Sequence, residues 1–180
     1  VGRSVHVEKM KLALLYAEFK SDIDVIEKEL VQALNSSSHM LNDASVHLVQ
    51  AGGKRIRPVF VLLCAKFGQY DIERLKHVAV PLELVHMASL VHDDVIDDSN
   101  MRRGQHTVKA QWNNRVAMYT GDFIFARALQ SLAHIEQPII HQVLAHTMVE
   151  LCNGEVIQIE DKFQLNQNIK TYFRRIKRKT

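Results

Sequence analysis

Residues 83–98 read ELVHMASLVHDDVIDD, and the fold and the chemistry both turn on how that stretch is read. Four aspartates fall within six positions directly after an apolar run. On a helix, like charges three and four apart repel, so the cluster points to something positive beside it. At 3.6 residues per turn, Glu83, His86, Leu90, Asp93 and Asp97 share one face, with Asp94 at its edge and Leu82, Val85 and Ala88 pointing elsewhere. Asp93 and Asp97 lie one turn apart and can reach a shared cation. Oxygen-only ligands of this kind suit Mg²⁺, which keeps waters and completes its shell with substrate phosphates. Alone, DDxxD also describes a solvated acidic helix end.

Working outward, the chain reads as helix after helix. Seven glycines and three prolines in 180 residues favour long helices over a turn-rich β architecture. An apolar stripe through Leu12, Leu15, Phe19, Ile23, Ile26 and Leu30 predicts a helix from about residue 8 to 34. A second is expected from Leu41 to Gln50, ending at AGG, and a third over RPVFVLLCAKFG with Pro58 in its first turn. Pro81 is expected to open the helix that carries the aspartates. Further helices are expected over residues 108–133, 138–152, 155–162 and from Ile169 onward. With no repeat and no Pro/Gly-rich linker, the expectation is one all-α domain over residues 1–180.

Composition narrows the class. An apolar content of 47% and a charged content of 24% are those of a folded chain. The net charge of +3 is mild but uneven, with acid at residues 93–98 and base in YFRRIKRKT. No apolar run is long enough for a transmembrane segment, and no secretory signal is visible, so a cytoplasmic location is expected. Cys64 and Cys152 are read as small core hydrophobes rather than a disulfide or metal pair.

Cations stand near the aspartates in sequence. MRRG supplies Arg102 and Arg103, and GGKRIRP at 52–58 supplies Lys54, Arg55 and Arg57. Arginine grips phosphate in two-point contact and lysine adds a point charge. GxxxxGK[ST] is absent, so this is not a nucleotide phosphate loop. A cation site with two separate basic clusters describes a pocket for two diphosphates, one held through metal and one by direct contacts.

GGKRIRP, ELVHMASLVHDDVIDD, MRRG, YTGDFIFARAL and NGEVIQ, in that order, resemble the trans-polyprenyl diphosphate synthases, most nearly the large catalytic component of heptaprenyl diphosphate synthase. The resemblance implies an isoprenoid-synthase-type bundle of antiparallel helices around a central cavity. It also implies repeated condensation of an allylic diphosphate (farnesyl to hexaprenyl) with isopentenyl diphosphate, most directly to heptaprenyl diphosphate for menaquinone. Residue by residue, it implies Mg²⁺ on Asp93 and Asp97, supported by Asp94 and Asp98. Lys54, Arg57, His86 and Arg103 would hold isopentenyl diphosphate; Arg102, Lys179 and Thr180 would hold the allylic diphosphate. The small Ala88 and Ser89 before the aspartates imply a medium or long product.

The resemblance further implies a small non-catalytic partner subunit, a homodimeric octaprenyl or solanesyl-type enzyme being the alternative. The basic tail matches the allylic site, so no nucleic-acid partner is expected. No second aspartate-rich motif follows Asp161, so the chain is expected to be an N-terminal portion that is inactive alone or acts as a subunit. A metal phosphohydrolase would need a histidine set that the ten histidines do not form, and a terpene cyclase would lack the GGKRIRP cluster.

Overall fold

In the computed structural model, which describes residues 14, 16–163, 166 and 168–179, hydrophobic periodicity becomes helix almost everywhere. The order is α1 (Lys20–Ala33), α2 (His39–Gln50), α3 (Ile56–Ala65), α4 (Ile72–Ile96), strands β1 (Met101–Arg102) and β2 (Gln105–His106), α5 (Val108–Gln111), α6 (Asn114–Leu132), α7 (Pro138–Glu160) and α8 (Ile169–Lys179). The all-α expectation holds, with one short antiparallel hairpin added. Leu12, Leu15 and Thr180, and the side chain of Lys179, lie outside the described residues.

The chain divides into two compact units, Val1–His134 and Ile135–Thr180. In the first, α4 is the central element and packs most extensively against α6 and then α3. Its buried face includes Val80, Leu84, Val85, Met87, Ala88 and Val91. α1 closes one side with Phe19, Ile26, Leu30 and Leu34, all buried. A second cluster, Ala44, Val91, Val108 and Ala117, packs with Leu48, Val95, Trp112 and Val116 behind the aspartate end of α4. In the second unit α7 packs against α8, with ion pairs Arg175–Asp161 at 3.4 Å and Arg178–Glu150 at 3.1 Å.

Caps explain most helix starts. The Ser38 side chain accepts from the Leu41 N–H, Asp71 from Glu73, Thr107 from Ala110 and Asn113 from Val116. Each satisfies an N–H that a helix start otherwise leaves unpaired.

Four expectations change. Pro81 does not open α4; it sits fully buried inside it, nine residues after Ile72. A mid-helix proline costs about 3 kcal/mol, and here the buried stretch on both sides carries the helix through. Residues 138–152 and 155–162 form one helix, α7, because Gly154 is buried within it rather than ending it. Residues 108–133 divide at Trp112, where Asn113 turns extended to cap α6. Cys64 and Cys152 are both exposed, not core. Cys64 follows the buried Leu62 by two residues, and on a helix that step turns it about 200° away from the core.

Candidate functional site

The site forms where α4 ends and the chain turns back on itself. Asp97 caps α4, Asp98 adopts φ 52°, and the hairpin β1–β2 follows. Its two-residue turn, Arg103 at φ 53° and Gly104 at φ 80°, has the double positive φ of a type I′ turn, whose twist matches the flanking strands. The reversal brings Arg102 back onto the helix: its Nη2 lies 2.7 Å and its Nε 2.9 Å from Asp94 Oδ1. Asp94 is only 3% exposed, so this is a desolvated, charge-assisted contact. Asp98 pairs instead with Lys109, whose hydrogen bond and charge hold that exposed carboxylate below its usual range.

A narrow cleft opens here, lined among others by Glu83, His86, Leu90, Asp94, Arg102 and Arg103, with His47, Gly52 and Arg55 opposite. Its volume of about 30 Å³ holds roughly two waters. Arg103, one of its lining residues, is exposed. His86 is pushed down to about 4, first by burial and then by the charges of Arg57, Arg103, Arg102 and Arg55. At neutral pH it is a neutral imidazole, able to donate one N–H to an anion without adding to the crowd of cations.

Two of the lining residues, Arg55 and Glu83, form an ion triad with the half-buried Glu27. Arg55, at φ 46° and 7% exposed, places its guanidinium on Glu27 through Nε and through Nη2 at 3.2 Å, and reaches Glu83 through Nη1 at 3.4 Å. Burial lowers the Arg55 pKa, but the hydrogen bond and charge of Glu27, with Glu83, carry it above its usual value. Glu83 is raised by burial, against the pull of Arg55 and Arg57, and its Oε2 has no hydrogen-bond partner among the described residues. Gly53 threads between the guanidiniums: a Cβ there would lie 2.8 Å from both Arg103 Nη1 and Arg55 Nη1, and the latter is pinned.

His86, Arg102 and Arg103 thus meet in one cleft. Asp94, expected at the edge of the helix face, lines it, because positions 83, 86, 87, 90 and 94 form the inward stripe. Asp93 is half-buried and Asp97 exposed, one turn apart at the helix end and outside that lining. Lys54 is exposed and Arg57 half-buried; neither lines the cleft, although the charge of Arg57 reaches both His86 and Glu83. Ala88 is buried and Ser89 half-buried, its hydroxyl donating to the His86 carbonyl at 2.9 Å. The allylic-site pair Lys179 and Thr180 falls outside the described side chains. Sequence reasoning missed the roles of Arg55, Glu27 and Glu83. Only the burial of an arginine among arginines marks them, and no sequence pattern announces that.

For a metal, the described residues contain no cluster of three or more His, Cys, Asp or Glu side chains. Asp93 and Asp97 offer two hard oxygen donors from one helix turn. That donor set fits a divalent ion of the Mg²⁺ type, which needs only one or two carboxylates when substrate oxygens complete its shell.

The polyprenyl synthetase family model matches residues 38–180. Heptaprenyl diphosphate synthase component 2 of Geobacillus stearothermophilus is 60% identical over 95% of this chain and 53% of its own length. That of Bacillus subtilis (strain 168) is 56% identical over 98% of this chain and 51% of its own. Among solved structures, heptaprenyl diphosphate synthase from Staphylococcus aureus superposes with a TM-score of 0.87 at 43% identity, covering 90% of this chain and 52% of that one. The chain spans about half the length of the curated relatives it matches. With the fold, the order of its basic and acidic segments and these matches in agreement, the chain belongs to the polyprenyl synthetase family.

Proposed function

We propose that the protein containing this chain is the prenyltransferase component of a heptaprenyl diphosphate synthase. It would condense an allylic diphosphate with isopentenyl diphosphate to lengthen a trans prenyl chain. The observation that carries this is the meeting of Arg102, Arg103 and neutral His86 in one cleft beside the Asp93–Asp97 turn.

Lys54, Arg57, His86 and Arg103 would hold isopentenyl diphosphate by direct contacts. Arg102, already oriented by Asp94, would face the allylic diphosphate and stabilise the charge that develops on it as the C–O bond ionises. Mg²⁺ on Asp93 and Asp97 would supply Lewis-acid stabilisation of the departing diphosphate. The allylic carbon would then bond to the isopentenyl double bond, and a proton would leave the adduct. The apolar helix faces would exclude water from that cation. The "component 2" in the relatives' names supports a second, smaller subunit. A cytoplasmic location and a menaquinone side chain as the product's destination belong to the same proposal.

The test uses the full-length protein with farnesyl diphosphate, labelled isopentenyl diphosphate and Mg²⁺, with and without the small subunit. C35 product that requires the partner supports the reading. A C40 or longer product from the chain alone would establish the homodimeric type instead. Ser89→Phe, one turn before Asp93, is expected to shift the product to shorter chains by chromatography; an unchanged distribution removes Ser89 from length control.

A further inference from the structure

Arg55 takes no part in the diphosphate contacts proposed above, yet it is the most constrained residue of the 52–58 segment. It is buried where its neighbours Lys54 and Ile56 are exposed. Its backbone sits at φ 46°, ψ 37°, a left-handed conformation that L side chains with a Cβ rarely adopt. It also lacks any side-chain cap at the start of α3. Two helices hold it there: Glu27 from α1 grips it at two points and Glu83 from α4 at one. The Tyr16 hydroxyl donates to the Lys54 carbonyl beside it. Gly52, at φ 69°, and Gly53 precede it, so the covalent chain on its N-terminal side does not stiffen the loop.

We propose that Arg55 is a positioning residue: its clasp with Glu27 and Glu83 locks the 52–55 loop against the first turn of α3, so that Lys54 and Arg57 stand ready as an anion subsite. This rests on the prenyltransferase reading. The clasp turns one cation of the KRIR run inward and leaves the two beside it to face a ligand. It consumes the Arg55 charge on two carboxylates, so Arg55 orders the loop without competing for the diphosphate. Because Glu27 makes two contacts and Glu83 a single one at 3.4 Å, Glu27 is the main anchor. A loop ordered before binding does not lose that freedom when the ligand arrives, and the gain appears as affinity.

The experiment titrates isopentenyl diphosphate, without divalent metal, into the full-length protein and its Arg57→Ala, Arg55→Lys and Glu27→Gln variants. Farnesyl diphosphate with Mg²⁺ serves as comparator at the aspartate end. Arg55→Lys keeps the charge and loses the two-point fork; Glu27→Gln removes the anchor from a partly exposed position and leaves Arg55 in place. Arg57→Ala is expected to weaken isopentenyl diphosphate binding at least tenfold. Arg55→Lys should weaken it about tenfold and Glu27→Gln about threefold to tenfold, both with farnesyl diphosphate affinity within twofold of wild type. If Arg57→Ala weakens binding while both clasp variants bind as wild type, positioning by Arg55 is refuted and the reading stands. If a clasp variant weakens both ligands equally, its role is general folding and the proposal also fails. If wild type and Arg57→Ala bind isopentenyl diphosphate alike, the subsite itself is misplaced.

Discussion

The two ends of α4 both carry ion pairs, and they are built differently. At its start Lys76 is shared between Glu29 at 2.8 Å and Glu73 at 2.7 Å, beside a cleft of about 360 Å³ lined by His77, His134 and Arg127. At its end Asp94 is buried against Arg102, beside a cleft of only about 30 Å³. Room alone does not mark the chemical end. Electrostatic work on a leaving anion needs cations held in a poorly solvated place, where each charge acts at a lower effective dielectric. At the tight end the Asp94 carboxylate that orients Arg102 is closed off from water, whereas at the roomy end the carboxylates holding Lys76 stay in contact with it.

Breaking the tight end should cost most. Arg102→Ala leaves Asp94 buried without its partner, and the expected loss is about 3 kcal/mol of stability by denaturant unfolding. Arg102→Lys should recover part of it, since Lys keeps the charge and loses the fork.

Acid should find the same end. His86 has a folded-state value of about 4 against an ordinary 6.5, so the unfolded chain binds a proton that the folded one refuses. The sign follows from linkage: this contribution is fully present above pH 6.5 and is lost as pH falls toward 4, on the order of 2 kcal/mol after allowing for partial solvent access. Unfolding free energies between pH 7 and 4 should show the slope in the native chain and a shallower one in His86→Asn. Equal slopes would mean that the surrounding arginines do not act on His86.

Gly121→Ala sharpens the comparison from the side of α6. A Cβ there would lie 2.2 Å from His92 Nε2, so α6 must back away from α4 next to Asp93. A destabilisation of about 1–2 kcal/mol is expected from such overpacking. The effect should largely vanish in the His92→Ala background, measured as a double-mutant cycle.

Lys76→Ala, at the other end, should cost about 1 kcal/mol, because Glu29 and Glu73 keep water contact and are re-solvated when the partly buried Lys76 is removed. A loss as large as that for Arg102→Ala would erase the distinction between the two ends.

Much of this was legible before any coordinates. Periodicity found the helices, and the order of GGKRIRP, the aspartates and MRRG brought the right segments to one end of the first unit. What escaped were features that depend on packing. Pro81 looks like a helix start because proline's local cost argues for one, and only the buried faces on both sides overrule it. Asp94 and Asp93 are neighbours of the same type, and a few tens of degrees of helix rotation decide which one faces the cleft. Arg55 resembles Lys54 and Arg57 as a letter in a basic run; its inward turn depends on Glu27, 28 residues earlier, and Glu83, 28 residues later.

The two cysteines have a practical consequence. Cys64 and Cys152 are the chain's only thiols, both are exposed and unpaired, and they fall one on each compact unit. Without further engineering the chain therefore offers two natural anchoring points for a pair of spin or fluorescent labels. The distance between those labels would report how the units move apart or together as ligands arrive.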